Sequence, residues 1–106
     1  MGLIAIIAYK PKFCKEAALL KVVNEHVPIL RAEGLATDRP PIFGRARNGT
    51  IIEIFEWKSE QAINDAHSNA RVAAMWGEFN AACTYETLAT LEECKQMFAG
   101  FEAIEL

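Results

Sequence analysis

Proton-transfer chemistry near neutral pH needs a histidine, or a carboxylate moved off its ordinary pKa by its surroundings. This chain offers few such groups in an apolar setting. It has two histidines, His26 and His67. His26 falls inside an apolar stripe of Leu19, Val22, Val23, Ile29 and Leu30 at helical spacing. It is either a core histidine bonded to a sheet or helix carbonyl, or a base or donor facing a pocket. His67 lies one turn after Ile63 near a helix junction, where it is either an exposed helix-end residue suited to the C-terminal dipole or a group at a pocket mouth. Glu53 alternates with Ile51, Phe55 and Trp57 on one strand face. Burying that carboxylate costs several kcal/mol unless it is paired, so it needs a cation such as Arg45 or Arg47 across the hairpin, or it serves acid–base work. Trp76 and Phe79 share a second helical stripe, as core residues or as walls for a flat aromatic ligand. The catalytic candidates are therefore His67 and Glu53. The pocket-lining candidates are His26, Trp57, Trp76 and Phe79.

Other chemistries find less support. His26, His67 and Glu53 are too scattered to form a metal motif, so no metal is expected. Cys14, Cys83 and Cys94 are odd in number and form no C-x-x-C pair, which argues against a disulfide framework and for cytoplasmic residence. Cys83 continues an apolar stripe and reads as packing. No glycine-rich phosphate loop or nucleophile elbow is present. The formal net charge of −3 includes no Lys/Arg cluster beyond Arg45-Ala46-Arg47, so nucleic acid is not an expected partner. No apolar run reaches the length of a membrane span, and no positive region precedes the first apolar run, so neither a membrane nor a secretory leader is expected.

At 106 residues and 52% hydrophobic content, residues 1–106 read as a single domain with a real core. A first strand runs through Leu3–Tyr9 and ends at Lys10-Pro11-Lys12. A helix follows from Phe13 or Cys14 to Glu33, stopped by Gly34 and kinked or restarted by Pro28. Leu35–Arg47 is an irregular second strand whose prolines, Pro40 and Pro41, place it at a sheet edge. Asn48-Gly49 has the composition of a type I′ turn into a third strand, Thr50–Trp57. Ser59 caps a helix over 60–68, and Asn69 caps its continuation to Cys83. Thr84–Thr90 is a fourth strand. Thr90 and Glu93 have capping-box spacing for a short helix to Phe98, and Phe101–Leu106 alternates as a terminal strand.

The order β-α-β-β-α-β plus a C-terminal tail predicts an α+β, ferredoxin-like split-βαβ fold with the first and third strands central. Both of those strands are apolar on both faces, yet two main helices cover only one face of a sheet. The uncovered face predicts a homodimer in which two sheets meet. The terminal segment 101–106 is expected to cross to the partner or pack on it.

This element order, the two-faced strands, and the segment Phe55-Glu56-Trp57-Lys58-Ser59-Glu60-Gln61-Ala62 with Asp65 and Ala73-Ala74 resemble the antibiotic-biosynthesis-monooxygenase-like (ABM) family. The resemblance implies a dimeric α+β barrel with a ligand pocket between each sheet and its helices. The family's enzymes include cofactor-independent monooxygenases of polycyclic aromatic substrates and haem-degrading monooxygenases. The Trp57-Lys58-Ser59-x-Gln61-Ala62 segment is most similar to the haem-degrading branch, which carries a haem-ligating histidine late in the second helix, a tryptophan before it and an asparagine on the first strand. Aligned on Trp57-Lys58-Ser59, those helix positions hold Trp76 and Ala66, and the first strand has no asparagine. Haem degradation is therefore not expected, and no cofactor is expected. No catalytic residue carries over from the polyketide-oxidising branch. The expected function is binding of a small, apolar, aromatic molecule, with cofactor-independent monooxygenation driven by a His or Glu base. The alternative is a non-catalytic ligand-binding or structural homodimer.

Overall fold

A computed structural model describes residues 2–106. It is an α+β domain with three helices and a five-stranded antiparallel sheet, an arrangement consistent with a ferredoxin-like α+β fold. The elements are β1 (Leu3–Pro11), α1 (Glu16–Ala32), β2 (Ile42–Arg45), β3 (Ile51–Trp57), α2 (Glu60–Ala66), α3 (Ala70–Ala82), β4 (Cys83–Glu86) and β5 (Glu102–Ala103). The strand order β4-β1-β3-β2-β5 puts β1 beside β3 near the centre. Their register sets Tyr9 opposite Ile51, Ile7 opposite Glu53, and Ala5 opposite Phe55. Because side chains alternate, these residues share the face covered by α1 and α3. The core beneath that face joins Leu19, Val23, Val27 and Leu30 of α1 to Val72, Met75 and Phe79 of α3.

Local chemistry explains the helix ends. The Ser59 Oγ accepts from Ala62 N at 3.1 Å, and Asn69 Oδ1 accepts from Val72 N at 3.0 Å, so α2 and α3 are separately capped. After α1, Gly34 takes φ +74°, its N–H reaches Arg31 O, and Leu35 N–H reaches Leu30 O. This is a Schellman stop, which requires a left-handed residue at that place. Helix α1 starts at Glu16 rather than Phe13 or Cys14, because Phe13 and Cys14 form a turn with Cys14 at φ +60°. Pro28 does not end or restart the helix. It sits on the exposed side, as does Asn24, whose carbonyl its missing N–H leaves free.

Several expectations are corrected. The hairpin is not type I′: Asn48 lacks positive φ and only Gly49 has it, at +91°. Gly49 N–H bonds Ala46 O and Ala46 N–H bonds Thr50 O, the pattern of a three-residue loop with a type I turn and a glycine bulge. Strand β2 is four residues long and is not the edge, because β5 pairs outside it, with Gly44 opposite Ala103 and Arg45 opposite Glu102. The terminal segment thus pairs with its own β2. Strand β4 stops at Glu86, and the helix expected over 90–98 is replaced by two short 3₁₀ turns, Leu88–Thr90 and Glu92–Lys95. No capping box forms, since Thr90 Oγ1 donates to Thr87 O and Glu93 Oε2 accepts from Arg47 N at 2.8 Å.

These turns partly cover the other face of the sheet. Leu91, with Leu88, Cys94 and Phe101, packs on Ala8, Ala46 and Ile52. The rest of that face stays open, with Ile4 55%, Ile6 49% and Ile42 64% exposed. Among the described residues, no helix is long and apolar enough to cross a membrane.

Candidate functional site

Between β1, β3, β4 and α3 lies a cavity of about 420 Å³. Its sheet wall is Ala5, Ile7, Tyr9, Phe55, Trp57 and Tyr85, and its helix wall is Trp76, Phe79 and Asn80, with His26 and His67 completing it. The volume falls in the range of small-molecule sites, and no Lys, Arg, Asp or Glu is among the lining residues.

Behind the wall is a buried polar chain. Glu53, 0% exposed, accepts at one oxygen, Oε1, from the Tyr9 hydroxyl at 2.6 Å and from His26 Nδ1 at 2.8 Å. Strand alternation puts Glu53 and Tyr9 on the helix side of the sheet, and the centre of the α1 stripe brings His26 over them. A carboxylate accepting at Nδ1 assigns that proton to Nδ1 and leaves Nε2 as the nitrogen for a ligand. The imidazole is further held edge-on between Phe55 and Phe79, with ring centroids 5.0 and 5.1 Å away. Tyr9 stacks on Phe79 at 4.9 Å. Burial, then the Glu53 charge and hydrogen bond, push the Tyr9 pKa well above its ordinary value, so the hydroxyl stays a donor. The second Glu53 oxygen, Oε2, is buried with no partner among the described residues.

His26 is bonded to a carboxylate rather than to a main-chain carbonyl. Glu53 is paired with Tyr9 and His26 and not with Arg45 or Arg47. Arg45 instead bonds Glu16 and Glu102, and the Arg47 main chain bonds Glu93. Glu53 backs the cavity without lining it. His67 is exposed, borders the cavity, and packs on Trp76 at 5.2 Å, with no hydrogen bond joining it to the His26–Glu53 pair. Trp57, Trp76 and Phe79 line the cavity.

Tyr9, Tyr85 and Asn80 were missed from the sequence. The signal for Tyr9 was its place on the same strand face as Ala5 and Ile7. Asn80 follows Trp76 by four residues, which puts both on one flank of α3. Tyr85 carries no sequence signal of its own, because it reaches the cavity through the β1–β4 register that sets it opposite Tyr9. Among the described residues, no group of three or more His, Cys, Asp and Glu is placed to hold a metal ion. The chain matches no protein-family model, no curated protein and no solved structure.

Proposed function

We propose that this chain is an ABM-like dimeric α+β barrel that binds a small, largely apolar, aromatic molecule in the cavity between sheet and helices. One observation carries the reading: an aromatic-walled cavity of about 420 Å³ borders a single imidazole that a buried carboxylate orients. A pocket of this kind binds through apolar area and selects through its few polar atoms. The chemistry it supports is proton abstraction by His26 Nε2, with Glu53 holding the ring and facing the positive charge that forms. His26 thus takes the base role that the sequence assigned to His67 and Glu53, and Glu53 becomes its positioning residue. In cofactor-independent monooxygenation, a carbanion left by loss of a C–H proton gives its electrons to O₂. The hydroperoxide, protonated from His26, then loses water to leave a carbonyl.

A second copy is the proposed cover for the open sheet face. Ile4 and Ile6 of β1 and Ile42 of β2, on either side of β3, form an apolar surface, and among the described residues β1 residues 3–7 have no strand on the β4 side, since β4 pairs only with Ala8–Pro11. A stable homodimer of this type buries about 2,000 Å² or more in total.

The test is native mass spectrometry of freshly purified protein, followed by oxygen-uptake measurement with any ligand recovered. A retained aromatic molecule of one per chain supports the reading. Binding without oxygen uptake assigns the cavity to carriage or sensing, the non-catalytic alternative. If flat aromatic probes such as 2-methoxynaphthalene cause no saturable quenching of Trp57 and Trp76 fluorescence, the ligand site is rejected.

A further inference from the structure

The Glu53 carboxylate lacks a permanent counter-charge. It is fully buried; among the described residues its only ion-pair partner is His26 and its Oε2 has no partner. A carboxylate withdrawn from water in this way costs several kcal/mol; the Tyr9 and His26 hydrogen bonds offset part of it, and a nearby cation offsets more. No lysine or arginine lines the cavity in front of it. What lines it is aromatic: Tyr9, Phe55, Trp57, Trp76, Phe79 and Tyr85. Aromatic faces attract cations, most strongly where water is excluded. Between the carboxylate and the cavity stands one imidazole, whose Nδ1 is taken by Glu53 and whose Nε2 remains to accept a hydrogen bond.

We propose that the cavity takes an organic cation, an apolar aromatic amine bound as its ammonium, with an N–H directed at His26 Nε2. The proposal rests on the reading of this cavity as a ligand site and names the class of ligand. Three features meet in such a molecule. Its ring fills the apolar volume, its ammonium lies among the aromatic side chains, and its charge supplies what Glu53 lacks. A carboxylate or phosphate ligand meets the opposite conditions: no cationic side chain on the walls and a buried negative charge behind them. A neutral ligand of the same shape gains the apolar contact but nothing from the charge.

Calorimetric titration at pH 8, where an ordinary histidine is neutral, separates these cases with three probes of one ring system: naphthalen-1-ylmethylammonium, naphthalen-1-ylmethanol and naphthalene-1-carboxylate. The ammonium should bind about tenfold tighter than the alcohol, with the carboxylate weakest. Glu53→Gln keeps an oxygen for Tyr9 and His26 but removes the charge. It should bring the ammonium down to the affinity that the alcohol shows for the same variant. Equal binding of ammonium and alcohol by the wild-type protein would overturn the proposal while leaving the ligand site intact. A carboxylate that binds tightest would overturn it too, by showing that the cavity favours negative charge. An ammonium preference that survives Glu53→Gln would overturn the role given to Glu53. If none of the three binds, the ligand site itself fails. The wild-type ranking decides the matter even where the variant does not fold.

Discussion

Replacing Tyr9 by Phe isolates the buried polar chain with the least disturbance to packing. The ring stays, so the stack on Phe79 at 4.9 Å and the strand register are kept, and only the hydroxyl that donates to Glu53 at 2.6 Å is lost. A hydrogen bond to a charged group contributes about 1.5–3 kcal/mol, and no cavity larger than one oxygen is left. Glu53 then keeps His26 as its only donor, which places Tyr9→Phe near 2 kcal/mol of destabilisation. For a domain of this size that is roughly an 8 °C fall in Tm. Urea denaturation should show a lower midpoint with an unchanged slope. Against a Glu53→Gln background, where the acceptor is neutral, the same change should cost only about 1 kcal/mol. A Tyr9→Phe protein as stable as the parent would refute the argument, because it would mean that the hydroxyl does not donate to a charged, buried carboxylate. Equal losses in both backgrounds would show that Glu53 carries no charge in the folded protein.

Other outcomes follow from the same geometry. Light scattering should report a dimer at micromolar concentration, and Ile6→Glu, on the open sheet face, should give a folded monomer; a parent protein that is already monomeric removes the dimer. His67→Ala should change stability by no more than about 0.5 kcal/mol, since the side chain is exposed, yet weaken probe binding by removing the partner of Trp76, which titration of the same probes will measure. In native protein, a thiol reagent should label exposed Cys14 quickly and leave Cys83, buried and with its pKa pushed up to about 11, protected until unfolding, as timed mass spectrometry will show. Stability should also fall in alkali. Cys83 and Tyr9 both hold their protons more tightly folded than unfolded, so the unfolded chain gains as pH rises past about 9 and then about 10. Tyr9→Phe should make the upper part of that decline shallower, as read from urea midpoints across pH 8–11.

The features legible in the order of residues are local or periodic. Ser59 and Asn69 announce helix starts because a side-chain oxygen satisfies an N–H only two or three residues away, and both bonds form. Gly34 announces a helix stop for the same short-range reason. The alternation of Ile51, Glu53, Phe55 and Trp57 showed that these side chains share a face, and the helical stripe put His26 among core residues. Where two uses of one residue competed, the sequence could not choose between them. Thr90 and Glu93 have the spacing of a capping box, but Glu93 is spent on the main chain of Arg47, 46 residues away. Asn48-Gly49 suits a type I′ turn, but the turn that formed uses only the glycine's left-handed freedom.

The site itself is set by long-range packing. Glu53 meets His26 across 27 residues and Tyr9 across 44, and those meetings depend on the β1–β3 register and on the rotation of α1 over the sheet. The nearby arginines looked better as partners because attraction between opposite charges is strong at any short separation, but the β2–β3 register sets Phe43 opposite Glu53, and Arg45, on the same face opposite Ile51, is taken by Glu16 and Glu102. The C-terminal turns Leu88–Thr90 and Glu92–Lys95 were likewise invisible, since they are held by Leu91 packing on the far face of the sheet and not by any local helical preference. Periodicity tells which side a residue faces; which residue it meets there is set by the packing of whole elements, and that is where this protein's buried carboxylate acquires its histidine.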